Sequence, residues 1–123
     1  MTERKFIYVT TSFQCFHCYP GAKEEYAFLR ANHRHMFGVR VKLSVSHNNR
    51  DVEFLELKNA INEFIEVKLI RDLWRPDISC EDFADCICDF VRDYTHSNFI
   101  EVEVNEDNEN GAIIARRYSK EDK

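Results

Sequence analysis

One run of strict alternation constrains this chain more than any other feature. From Met36 to Ser46, apolar residues fall at Phe37, Val39, Val41, Leu43 and Val45, with Arg40, Lys42 and Ser44 between them. Successive side chains of a strand point to opposite faces, so this spacing predicts a strand with one buried face. Such a strand needs paired neighbours and a layer packed over its apolar side. Phe6 to Phe13, rich in aromatic and β-branched residues, reads as one partner. Phe99 to Val104 alternates in the same way, Asn108-Glu109-Asn110-Gly111 turns the chain, and Ala112 to Ala115 begins a last strand.

Between the two strand pairs the period changes. Apolar residues recur at Phe54, Leu57, Ile61, Phe64 and Ile65, which predicts a helix from Glu53 to about Ile65. Ser79 is placed to cap a second helix, with Asp82 three residues on as an acidic capping-box partner. Phe83, Ala84, Ile87, Phe90 and Val91 mark its buried stripe. Cys18 to Asn32, broken by Pro20-Gly21, reads as a loop with a short helical piece at Glu24–Leu29. The expected fold class is α+β: β-β-α-α-β-β, a four-stranded antiparallel sheet with two helices on one face. At 123 residues the expectation is a single domain over 1–118 and a charged tail over 119–123.

The formal charge of −5 argues against a protein that holds nucleic-acid phosphates, so no direct nucleic-acid binding is expected. No run of eighteen apolar residues is present, and the start leads into a β-like run rather than a signal-peptide core. No membrane partner is expected. Five unevenly spaced cysteines do not form a secreted disulfide framework, which favours a reduced, cytoplasmic setting.

His33-Arg34-His35 lies at the entrance to the second strand, where residues i and i+2 share a face and can converge on one ion. His17 ends the first strand and supplies a third nitrogen if the two strands pair. Three histidines with an open fourth position describe a catalytic type of zinc site. Cys15-Phe16-His17-Cys18 offers an alternative, a zinc knuckle of two cysteines and two histidines, if the strand has already ended there. Cys80, Cys86 and Cys88 read as buried helix residues, Trp74 as a core or subunit-interface residue, and His47 and His96 as turn residues.

Taken in order, these segments resemble one known family. Phe13-Gln14-Cys15-Phe16-His17 resembles the F-x-x-x-H segment of the 6-pyruvoyltetrahydropterin and 6-carboxytetrahydropterin synthases. His33-Arg34-His35-Met36-Phe37 is similar to their H-G-H plus aromatic motif. Val52-Glu53-Phe54-Leu55-Glu56-Leu57-Lys58 resembles their V-x-D-F-x-x-L-K helix start. Ser79-Cys80-Glu81-Asp82-Phe83-Ala84 is similar to P-T-x-E-N-x-A, and Val102-Glu103-Val104-Asn105-Glu106 to the strand that ends in an E-T dipeptide. The resemblance covers nearly the whole chain. It implies the tunnelling fold, a homo-oligomer (trimer or hexamer), and zinc held by His17, His33 and His35. It also implies that Glu106 anchors the guanidine-like edge of a pterin, purine or nucleotide-derived ligand in an intersubunit pocket, a charge-assisted bidentate contact.

The departures from the family pattern concern proton transfer. The family's catalytic cysteine lies four residues before the first histidine of H-x-H, a position held here by Leu29. Cys18, Glu24 and Glu25 are the nearest alternatives. The family's Asp-His pair follows the first helix, but between Leu69 and Ile78 stand Asp72 and Asp77 and no histidine. Arg34 replaces the middle glycine of H-G-H, and its guanidinium suits a ligand phosphate. The expectation is a divergent zinc protein that binds such a ligand with catalysis lost or altered, as a ligand-sequestering viral protein would. The alternative is an active zinc-dependent carbon–oxygen lyase acting on 7,8-dihydroneopterin triphosphate.

Overall fold

A computed structural model describes residues 3–119. β1 (Lys5–His17) and β2 (His33–Val45) pair along their whole length as an antiparallel hairpin; β3 (Phe99–Glu106) and β4 (Asn110–Arg117) form a shorter one. β2 also pairs with β3, giving one sheet in the order β1-β2-β3-β4, antiparallel throughout. The alternation of β2 matches that of its neighbours: Val41 stands between Val9 and Val102, and Leu43 between Ile7 and Ile100. Phe37, Val41, Leu43, Ile100, Val102 and Val104 are fully buried on the same face.

α1 (Phe54–Phe64) starts where Glu53 accepts a hydrogen bond from the Glu56 N–H. It does not stop at Ile65, as the spacing predicts, but runs on as a π-helix through Ile65–Leu73. The buried residues explain this: Leu57, Ile61, Ile65 and Leu69 follow one another at steps of four. On an ideal α-helix each such step drifts about 40° around the axis. The wider π turn brings Leu69 back over the sheet. α2 (Cys80–Thr95) opens on the expected capping box, with Ser79 Oγ accepting from Asp82 N–H and Asp82 Oδ2 from Ser79 N–H. It ends at His96, in the left-handed conformation with φ of 58°.

α1 packs against β1, and α2 lies over β3 and β4. Both helices therefore cover one face of the sheet, in the β-β-α-α-β-β order of the tunnelling fold. The other face is open, and Tyr8, Phe16, Met36 and Ile113 are exposed there or along its edges. The strands are longer than their alternating cores, because aromatic and polar residues continue the pairing once its register is set. His33 and His35 consequently lie within β2 rather than before it. Apart from Ser119, the charged tail falls outside the described residues. No helix among the described residues is long and apolar enough to cross a membrane.

Candidate functional site

The sheet register brings three histidines to one end of the covered face. His17, the last residue of β1, stands directly opposite His33, the first of β2, and His35 follows two residues on. Glu106, the last residue of β3, is opposite Phe37. All four side chains sit on the face that carries Cys15, Phe37 and Val104, as strand alternation requires. Ring centroids are 4.7 Å apart for His17 and His33, 4.9 Å for His33 and His35, and 5.2 Å for His17 and His35. One ligand atom from each histidine and from Glu106 lies within 4.8 Å of all the others.

The hydrogen bonds made by these rings fix what the cluster offers. His17 Nδ1 lies 2.8 Å from the Ile78 carbonyl oxygen, His33 Nδ1 2.9 Å from that of Ala31, and His35 Nδ1 2.7 Å from Asp107 Oδ2. Each partner only accepts, so each Nδ1 carries the proton and donates. With Nδ1 engaged in this way, Nε2 is the nitrogen each ring would offer a metal, in its neutral form. Glu106 Oε2 adds negative charge 2.9 Å from His17 Nε2 and 3.3 Å from His35 Nε2. At these distances the carboxylate and the two rings can share a proton or, in its place, hold a metal ion. With zinc–nitrogen bonds of about 2.0–2.1 Å, the corners of a tetrahedral site lie about 3.3 Å apart; the two Glu106 contacts are near that spacing, and all four ligand atoms lie within 4.8 Å of one another. The donor set therefore fits a metal ion of the zinc type.

Beside the cluster opens a cavity of about 560 Å³, a size suited to a small organic ligand. His17, His33 and Glu106 line one side, and Asp77, Ser79, Cys80 and Glu81 at the start of α2 line another. The connection before α2 is tied to the end of β1: Trp74 Nε1–H donates to the Phe16 carbonyl at 2.8 Å, and Cys18 N–H to that of Pro76 at 2.8 Å. Trp74 itself packs half-buried against the core. Burial, with smaller contributions from the charges of Glu106 and Glu81, pushes the Cys80 thiol up to about 12, so it stays protonated. A second cavity of about 490 Å³, at the opposite end of the sheet, is lined by Arg4, Lys5, Ser44 and Asp51 and brings no comparable cluster together.

The sequence-predicted residues divide sharply. His17, His33, His35 and Glu106 meet. Cys18 lines the cavity, as does Leu29 in the position of the family cysteine. Glu24 and Glu25 do not line it; they are exposed on a 3-10 turn (Glu24–Arg30), where Glu24 pairs with Arg30 at 3.2 Å. Arg34 is a correction to the expectation of a cation beside the site: alternation turns it to the open face, away from its two neighbours. Cys15 is buried in the core, and neither it nor Cys18 joins the histidine cluster, which sets aside the zinc knuckle. Sequence reasoning missed Asp107 and Asn110. Asn110 Nδ2 donates to Glu106 Oε1 at 3.0 Å, and Asp107 accepts from His35. Their position in the turn that follows Glu106 was the available signal.

No protein-family model and no curated protein matches the sequence. Solved structures do match. The 6-pyruvoyltetrahydropterin synthase of Plasmodium vivax, in a variant whose catalytic glutamate is replaced by alanine, aligns over 94% of this chain and 99% of its own, with a TM-score of 0.67 at 15% identity. The same enzyme from Plasmodium falciparum aligns over 94% and 99% with a TM-score of 0.65 at 18% identity, and a second Plasmodium vivax structure gives 0.65 at 17% over the same spans. This chain has the tunnelling fold. At that identity the likeness is one of fold, and the tunnelling-fold site is defined here by this chain's own side chains.

Proposed function

We propose that this tunnelling-fold protein binds zinc through His17, His33 and His35 and captures a pterin- or purine-type ligand in the adjoining cavity. One observation carries the reading: a ring nitrogen from each of three histidines and the Glu106 carboxylate converge at the mouth of a cavity of about 560 Å³. Bound zinc would polarise a ligand oxygen. Glu106, held through Oε1 by Asn110, would offer Oε2 to the N–H groups of a guanidine-like ring edge once a metal takes up the His17 and His35 nitrogens that Oε2 now faces. Asp77 and Glu81 add acceptors to the same cavity. Arg34 faces away, so phosphate recognition through it within one protomer is no part of this reading. Binding with catalysis lost or altered fits best, since Leu29 occupies the cysteine position and the carboxylates Glu24 and Glu25 lie outside the cavity. The ligand-sequestering role, viral or otherwise, rests on the same point.

A lyase acting on 7,8-dihydroneopterin triphosphate is the second reading. It is favoured by Cys18 and Asp77, a thiol and a carboxylate that both line the cavity, and by the neighbouring Plasmodium vivax enzyme, in which a glutamate is a catalytic residue. We also propose a homo-oligomer, trimer or hexamer, in which copies cover the open sheet face with its exposed Tyr8, Phe16, Met36 and Ile113. Residues 1–118 would form one domain in a reduced, cytoplasmic setting, where five free cysteines are at ease. The test is native purification, a zinc assay and mass spectrometry of any small molecule retained. Zinc at one ion per chain with a tightly held heterocycle and no turnover is expected. Turnover of 7,8-dihydroneopterin triphosphate that His33→Ala abolishes would establish the second reading, and absence of zinc would end both.

A further inference from the structure

We infer that Asp107 is a positioning residue, a carboxylate behind the cluster that fixes the tautomer of His35 and aims its Nε2 at the metal position. The inference rests on the zinc reading for its purpose, but its geometry stands apart. The histidines are not held alike. His17 and His33 donate to neutral backbone carbonyls, whereas His35 donates to a carboxylate, 2.7 Å from Asp107 Oδ2. A charged acceptor makes the shorter and stronger bond and renders the ring a better electron donor at its far nitrogen.

Asp107 is itself locked in place. Its N–H donates to the Met36 carbonyl at 2.8 Å, and its Oδ1 accepts from the Met36 N–H at 2.9 Å. It thus clamps β2 at the residue beside His35, one step past the end of the β2–β3 ladder, while its other oxygen holds the ring. The clamp depends on an unusual backbone. Asp107 and Asn108 have φ of 55° and 62°, and Glu109 N–H donates to the Glu106 carbonyl at 3.0 Å, so the pair forms the centre of a tight hairpin turn of the primed kind. Aspartate tolerates that conformation better than most residues but less readily than glycine or asparagine. The carboxylate supplies what those two lack. The same turn ends β3 at Glu106, so a single loop sets two members of the site: Glu106 directly and His35 through its ring.

The test uses Asp107→Asn, which suits the turn and keeps the side chain's shape, and Asp107→Gly, which suits the positive φ and removes the side chain. The tautomer of His35 is read in the metal-free protein from ring nitrogen-15 shifts, and zinc affinity by competition with a chelating dye. Expected in the wild type is a proton on His35 Nδ1, held in the bond to Asp107 Oδ2, while Nε2 faces Glu106 Oε2 at 3.3 Å. In both variants that preference is lost and zinc binds about ten- to a hundredfold more weakly, with the circular dichroism spectrum unchanged. The same tautomer and an affinity within about twofold of wild type in both variants would overturn the inference. A wild type that takes up no zinc but shows the Asp107-dependent tautomer would uphold the positioning role while removing the metal reading.

Discussion

Asp51 shows how one exposed side chain can hold the crossing from sheet to helix. Its Oδ2 accepts from the Ser46 N–H at 2.8 Å and from the Ser46 hydroxyl at 2.9 Å. These bonds, the backbone one first, hold its carboxyl below the usual 3.8, with the charge of His47 contributing least. A folded-state value below the unfolded one means that folding favours the ionised form. The contribution is therefore complete above pH 3.8 and fades as pH falls through the lower folded value. Asp51→Asn is expected to lower stability at pH 7 by about 0.5 kcal/mol, since water screens so open a group. Urea unfolding of the two proteins should converge as the pH is brought below the usual carboxyl range; a gap that stays constant down to about pH 2 would refute the assignment. At this scale the sequence was legible where a residue type carries one chemistry, as with His17, His33 and His35. It was silent where the role depends on a partner far along the chain. Asp107 reads as one more acidic residue in a turn until the pairing of β3 with β2 carries it to His35, 72 positions away.

Elements were legible in proportion to the regularity of their period. β2 and β3 alternate cleanly, and their buried faces follow. The end of α1 was not legible, because steps of four fit an α-helix only loosely and the widening to a π turn follows from contact with the sheet, which no local pattern encodes. The start of α2 was clear, since Ser79 and Asp82 make a capping box whose chemistry is local. Ser79 also lines the cavity, so the cap sets one wall of the site. Ser79→Ala is expected to cost about 1 kcal/mol, read as a lowered midpoint in urea. Gly111, at the other side of the cavity, faces a harder limit: a Cβ there would run into the Val104 carbonyl oxygen and lie 2.5 Å from Asn105 Cα. Gly111→Ala should therefore destabilise by about 1–3 kcal/mol, more than the lost cap. If the alanine variant at 111 proved as stable as wild type, the β3–β4 hairpin could not be packed this closely.

For the whole molecule, the candidate site is a tie between parts that are distant in the chain. His17 ends β1, His33 and His35 open β2, Glu106 ends β3, and the Ile78 carbonyl joins the approach to α2 through His17. The order of segments made that gathering legible in outline, since two hairpins bracketing two helices must bring the end of β1 near the start of β2. The turn of Arg34 to the open face also followed from alternation, but only once β2 was known to begin at His33. A tie of this kind has a measurable consequence. A metal ion that replaced the His17–Glu106 and His35–Glu106 contacts would join these distant parts more firmly than those contacts do. A cation bound to the folded form alone adds RT ln(1 + [L]/Kd) to stability. With free zinc at about a hundred times Kd, the gain is about 2.7 kcal/mol, which for a domain of this size raises Tm by about 10 °C. Calorimetry at one fixed protein concentration should show that rise with zinc and its loss with EDTA. Hydrogen exchange should place the protection lost on chelation at His33–Phe37 and Glu106, with Val41 and Leu43 at the centre of the sheet unaffected, because those amides are held by ladders on both sides. A Tm indifferent to zinc and EDTA would mean that the cluster is not where the fold is tied.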